Sequence, residues 1–437
     1  MNNKSLLVGF GRENITPATP VHMQGGSWRT RISTGVLDDI FATCVALRMD
    51  GQTMLVYTLD LKLPTPNFVL PAKAAVSAAT GVKEDNILFT ATHTHSSVAI
   101  RYPWEGVEGY KQMFYEQAVR AAQTAIADLS EASVLAGNTQ TERMAFVRHY
   151  RMNDGTVAGS NFGSWESGIA DHIRPADGQL QLARFVRQGK KDVLLLSFPA
   201  HGTFNEGGLL ISADFPSPTR AYLEENCDVL VAQFIGAAGD QTPGSRIPGR
   251  RFSKDYVEYG KRLGQYAQDA LPTLTAAEAS EIRLLSRTIT APTNKMKLDK
   301  LPEAIRIKQI VEQTGINSPE LKAALKECGL SSRHEANWIV IRSQQADTKD
   351  VTLKVLSLGG LAFAFAPYEM FGHHGKDIKE GSPFPHTVII GCEDGLNYMA
   401  SEESFDYGCY ESLCCFYARG TAEKLVQEYL DMLRSLK

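Results

Sequence analysis

No block of like charge runs through this sequence: 45 lysines and arginines stand against 49 aspartates and glutamates, a formal net charge of −4. A nucleic-acid binder needs a basic face to neutralise phosphates, so that class is disfavoured. No C-x-x-C pair occurs among the seven cysteines (Cys44, Cys227, Cys328, Cys392, Cys409, Cys414, Cys415). A zinc ribbon or a full disulfide framework is therefore not expected, and a reducing, cytoplasmic setting is the simpler expectation. A secreted protein lacking its leader would read the same. The opening MNNKSLLVGFGRENITP breaks its apolar stretch with glycine and charge after a few residues, too soon for a signal-peptide core or a membrane span. Neither Ser96 nor Ser212 sits in G-x-S-x-G, the elbow that exposes a serine nucleophile. Gly9-Phe10-Gly11 lacks the third glycine of a dinucleotide loop, which disfavours a nicotinamide or flavin enzyme. Internal repeats, low-complexity tracts and long Pro/Gly-rich linkers are missing too, so one domain spanning 1–437 is expected.

What the chain has is length for a large core: 437 residues, 43% hydrophobic and 22% charged. Ser5–Phe10, Ile40–Met49, Thr53–Leu59, Asn86–Thr92, Val193–Phe198 and Asp228–Ile235 read as strands. The run VLLLSF at 193–198 is apolar throughout, as suits a strand covered on both faces. Pro71–Thr80, Tyr110–Leu129, Thr219–Glu225 and Tyr256–Ala270 read as helices. Strands alternating with helices predict an α/β fold of layered mixed β-sheets flanked by helices. From about 292 to 343 the chain turns charged and helix-rich, a helical insertion suited to a lid or a dimer contact. Strand signals return at Thr352–Phe365, around a Gly359-Gly360 turn, and at Val388–Gly391. Thr421–Leu436 closes the chain as an amphipathic helix.

Polar residues gather just past the strands. In Thr92-His93-Thr94-His95-Ser96 two histidines lie two apart, so on extended backbone they share a face and can serve one site. The alternative is a pair of half-buried imidazoles bonded to carbonyls. His201 follows VLLLSF directly, where ligands collect in open α/β sheets. Ser212-Ala213-Asp214 and Gly239-Asp240 follow, with helix capping or turn formation as the other use for both aspartates. Glu369 comes straight after LAFAF, and Gly391 leads to Tyr398 and then Tyr410-Glu411. Singly, each of these is a weak signal.

Together they resemble the neutral/alkaline non-lysosomal ceramidase family: HTHS, F-P-x-H-G-T with a later S-x-D, G-D-x-x-P, Pro-x-Glu, and a G…Y…YE tail. The start Glu13-Asn14-Ile15-Thr16-Pro17 is similar to the family's D-I-T-P, with Asn14 in place of Asp. The match keeps its order from about residue 7 to residue 411. The resemblance implies a ceramidase-like catalytic domain with Zn²⁺ held by His93, His201, Glu369 and Tyr398. It also implies catalytic roles for His95 beside the attacking water and substrate, Tyr410 at the scissile carbonyl, and Arg148 as a further polar contact. Two histidines, a carboxylate and a weaker oxygen donor suit zinc, although iron, manganese or nickel could occupy such a set. Asp60, Asp214 and Asp240 are candidates for fixing the imidazole tautomers.

The sequence departs from that pattern in places. Ser97-Val98-Ala99 follows HTHS where the family usually has Gly-Pro-Gly, and the N-terminal GY element appears only as Met23-Gln24-Gly25-Gly26. The family's immunoglobulin-like C-terminal domain is not expected here, nor is a membrane partner. The expected activity is hydrolysis of an amide (N-acyl) bond in a small, soluble, polar acylated molecule, by a chain that could form a homo-oligomer. An esterase or carbohydrate deacetylase, or a non-catalytic binding protein on the same fold, are the alternatives.

Overall fold

The computed structural model describes residues 5–25, 31–101, 103–104, 106–159, 168–393, 395 and 397–437. Gly26 of the N-terminal glycine pair and Asp394 of the loop before Tyr398 lie outside the described residues. The larger sheet contains β1 (Leu6–Asn14), β2 (Phe41–Met49), β3 (Gln52–Leu59), β4 (Ile87–Ala91), β5 (Ser130–Gln140), β6 (Gln179–Arg187), β7 (Asp192–Phe198) and β8 (Val229–Ile235). Their order is β8-β7-β6-β5-β1-β2-β3-β4, and β9 (Thr275–Ala277) pairs with β5 beyond the stretch that β1 uses. The second sheet runs β10 (Arg283–Pro292), β11 (Thr348–Leu358), β12 (Leu361–Phe365) and β13 (His386–Ile390). Within these two sheets three pairs are parallel: β3 with β4, β7 with β8, and β12 with β13.

Period two sorts each strand between two buried faces. On β2, Val45, Leu47 and Met49 join Phe185, Val193, Phe363 and Ile390 in a core shared by both sheets. The intervening Ala42, Cys44 and Ala46 face helices α1 (Pro66–Thr80) and α2 (Val107–Ala127) instead. Small residues are needed there because α2 lies close. A Cβ at Gly9 or Gly11 of β1 would fall 1.9 Å from the Ala125 carbonyl oxygen or 2.1 Å from that of Ala121. The G-F-G opening is thus a seat for a helix.

Helices α3 (Pro216–Asn226) and α4 (Tyr256–Ala270) cover the rest of that face, with Leu223, Tyr259 and Leu263 over Leu194, Leu196 and Val231. Asp255 caps α4 by accepting from the Val257 and Glu258 amides. Beyond the second sheet, α8 (Gly372–Gly381) and α9 (Thr421–Leu436) pack Ile378, Leu425, Tyr429 and Leu433 against Val351, Leu353 and Ala364. The layers therefore run helix, sheet, sheet, helix, the layered α/β arrangement the sequence predicts.

Strands β10 and β11 are antiparallel out to Pro292 and Thr348. Between them stand α5 (Leu301–Thr314), α6 (Pro319–Cys328) and α7 (Arg333–Ser343), around a small core of Ile307, Leu321, Ala324 and Ile339. Ser318 and Ser332 cap the second and third of these helices through the amides of Leu321 and Glu335.

Candidate metal centre

All three parallel pairs point their carboxyl ends at one place, the position where α/β sheets collect ligands. His93 lies just past β4, His201 past β7, Glu369 past β12 and Tyr398 past β13. Short parallel bridges set the last two side by side, Glu369 opposite Tyr398. His93 has φ 64° and Cys392 φ 59°, left-handed values that non-glycine residues seldom adopt. The two side chains meet, with Cys392 Sγ 3.5 Å from His93 Nδ1. Backbone of this kind is held by its surroundings and collects at functional sites.

The imidazoles are oriented from behind. His93 Nδ1 lies 2.7 Å from the Lys62 carbonyl, His201 Nδ1 2.9 Å from the Gln241 carbonyl, and His95 Nδ1 2.7 Å from Glu206 Oε1. A carbonyl oxygen only accepts, so the δ nitrogens of His93 and His201 carry the protons. Their ε nitrogens carry one as well only in the charged ring. Burial opposes that charge, pushing His95 down to about 3 and, with Arg148 near, His201 down to about 4. The ε lone pairs of His95 and His201 are therefore free, and the ε nitrogens converge: His93 and His95 Nε2 are 3.3 Å apart, and Glu369 Oε2 lies 3.2 Å from His93 Nε2 and 3.1 Å from His201 Nε2.

Lone pairs facing one another in a buried site repel unless a cation lies between them. Neighbouring ligands of a tetrahedral ion with bonds of ~2.0–2.1 Å stand roughly 3.3 Å apart. The observed spacings match, so this donor set fits a small divalent metal ion. His93, His95 and His201 together form one candidate metal-holding group.

Around this group lie the remaining residues singled out by sequence. The Tyr398 ring stacks 6.4 Å from His201, and the Tyr410 ring meets Tyr398 edge-on at 5.6 Å. The Arg148 guanidinium lies over Tyr398, 5.4 Å from the ring centre. Burial, with Glu369 beside it, holds the Tyr398 phenol well above its ordinary range, and burial does the same at Tyr410.

A second buried group of His149, Cys409 and Glu411 lies behind Arg148. Glu411 accepts from Arg148 Nε at 2.6 Å and meets His149 Nε2 at 2.8 Å, while Tyr407 bonds His149 Nδ1 at 3.1 Å. Burial opposes charge on His149, but the Glu411 carboxylate outweighs it and lifts the imidazole to about 10. The Glu411 carboxylate is taken by the Arg148 guanidinium and the charged His149, whose other nitrogen bonds the Tyr407 hydroxyl, so this group is an ion-pair network.

Among Asp60, Asp214 and Asp240, none of the aspartates bonds an imidazole. Asp60 takes the Arg220 guanidinium at 2.7 and 2.9 Å, Asp214 takes the Asn205 and Phe215 amides, and Asp240 takes the Gly372 amide. Main-chain carbonyls of Lys62 and Gln241 do the orienting, which no side-chain pattern could signal. Ser96 and Ser212 give their hydroxyls to the Asn205 carbonyl and to Asp38. Glu206, on the loop after His201, is the functional candidate that the sequence reading missed; an acid in a short polar loop carries no periodicity to mark it.

No family model matches the chain, and no curated protein matches it. Among solved structures it is similar to neutral ceramidase from Pseudomonas aeruginosa, with a TM-score of 0.72 at 18% identity, over 100% of this chain and 75% of that one. It is likewise similar to a ceramidase complexed with C2, with a TM-score of 0.71 at 17% identity, over 99% of this chain and 75% of the other. At that identity the likeness establishes a neutral ceramidase-like fold. No helix among the described residues is long and apolar enough to cross a membrane.

Proposed function

We propose that this chain, built on a neutral ceramidase-like fold, is a zinc-dependent hydrolase that cleaves an amide (N-acyl) bond. The observation carrying the proposal is that Glu369 Oε2 lies 3.2 Å from His93 Nε2 and 3.1 Å from His201 Nε2, with both imidazoles bonded from behind through Nδ1. Those three residues and Tyr398 would hold the ion. When bound, zinc supplies Lewis acidity and brings a water's pKa toward ~7.

The chain's own groups handle the protons. His95, neutral and with Nε2 turned into the site, takes a proton from the attacking water and returns it to the departing amine nitrogen. Glu206 keeps the other ring proton on Nδ1, so the same nitrogen always faces the reaction. The Tyr410 hydroxyl donates to the carbonyl oxygen as it gains charge. Arg148, pinned by Glu411 and by the Gly239 carbonyl at 2.9 Å, keeps the Tyr398 ring in place. One C–O bond forms and the C–N bond breaks, giving a carboxylate and an amine.

A small, soluble, polar substrate remains the proposal for the leaving group, and an ester would meet the same apparatus. One observation favours an apolar acyl side. Ile32, Val36, Leu37, Leu209 and Leu210 are each 40–52% exposed. Parallel pairing of Gly35 with Leu210 and of Val36 with Ile211 gathers them into one patch. Leu209 and Leu210 of that patch lie on the same loop as Glu206, and Arg31, next to Ile32, donates to the His95 carbonyl at 3.0 Å.

Metal content of the purified protein, with turnover of matched N-acyl and O-acyl substrates of increasing chain length, tests both points. About one zinc per chain and amide turnover, rising with acyl length, are expected. A wild type that refuses added zinc would leave the fold as a binding scaffold.

A further inference from the structure

The three-helix segment grips the site from outside. Arg342, near the end of α7, is fully buried, and its Nη1 donates to the Leu413 carbonyl at 3.1 Å. Its Nε and Nη2 are buried with no hydrogen-bond partner among the described residues. At the other end of the segment, Asn294 Nδ2 donates to the Ser412 carbonyl at 3.2 Å and the Cys415 carbonyl at 3.0 Å. Trp338 of α7 meets Phe416 edge-on at 5.5 Å.

All three carbonyls cluster at the C-terminal end of one short helix, Tyr410–Cys414. A helix leaves its last carbonyls without internal donors, and a cation is favourable there. This helix carries Tyr410, which faces Tyr398, and Glu411, which holds Arg148 and His149. A guanidinium buried with so few of its donors bonded is a poor packing residue, and a neutral side chain of similar size would be at least as stable there.

We propose that Arg342, together with Asn294, is a positioning residue: from the helical segment it fixes the short helix that presents Tyr410 to the metal centre. The inference rests on the hydrolase reading for its kinetic test only.

That test uses the full chain loaded with zinc, carrying Arg342→Met or Arg342→Lys, on p-nitrophenyl acetate and N-acetyl-p-nitroaniline. The Met variant should keep its zinc and melt no lower than wild type. Its kcat should nevertheless fall by about tenfold or more, with KM within about twofold of wild type. The Lys variant should recover part of the loss. An unchanged kcat in the Met variant overturns the proposal. Should that variant fail to fold, Asn294→Ala takes its place, and an unchanged kcat there overturns it equally. A wild type inactive on both probes would count against the hydrolase reading alone. Amide hydrogen exchange of residues 404–418 then decides: faster exchange confined to that stretch in Arg342→Met supports the brace, and unchanged exchange overturns it.

Discussion

Glu206 and His95 lie 111 residues apart in the chain, yet Glu206 Oε1 and His95 Nδ1 sit 2.7 Å from one another in the folded protein. Glu206 is still reached by water, with 37% of its side chain exposed, whereas His95 is buried. The carboxylate thus fixes a buried base from the rim.

Glu206→Gln should accordingly lower kcat by about 10–100-fold, the usual cost of losing a group behind a working imidazole. Zinc content should stay at the wild-type value, since His95 is not among the four proposed ligands. Metal analysis and steady-state rates on the same preparation check both halves.

Glu369→Ala removes an oxygen, Oε2, that lies 3.1–3.2 Å from both His93 and His201. Zinc affinity should fall by at least about 100-fold, more than the loss of an outer partner causes. Competition with a chromogenic chelator measures it. Tyr398→Phe should cost less affinity, because a phenol is the weakest donor of the set.

Stability should depend on pH through His149. Its folded pKa of about 10 stands above the ordinary value of ~6.5. A raised folded pKa gives stabilisation that is complete below ~6.5 and is lost as pH climbs through about 10. The melting temperature of wild type should fall across that window. His149→Gln should melt lower at pH 7 and lose this part of the slope.

Gly9→Ala would place a methyl group 1.9 Å from the Ala125 carbonyl oxygen, and that oxygen is backbone that cannot turn aside. Unfolding free energy should drop by about 1–3 kcal/mol or more, the range for forced overpacking. Denaturant titration checks this, and the metal centre at the other end of the strands should keep its zinc.

The sequence made the densely apolar strands legible, and with them the residues just past their ends. β7 is buried at every position, and His201 follows it. β5, β6 and β10 escaped because Ser, Glu, Gln, Thr and Arg interrupt their apolar residues; neighbouring strands define them more than their own composition does. The histidines were visible because HTHS and PAHGT are local. The groups orienting them were not, since two are main-chain carbonyls and the third, Glu206, gains its role only through a long-range fold.

The proposed ligands come from both sheets: His93 and His201 extend from the larger one, Glu369 and Tyr398 from the smaller. An ion held by all four is therefore a clasp across the seam of the sandwich. Its binding energy would add directly to the cohesion of the two halves. Stripping the metal should then open that end first, so that the strand ends carrying the histidines exchange their amides before the buried middle of the seam does.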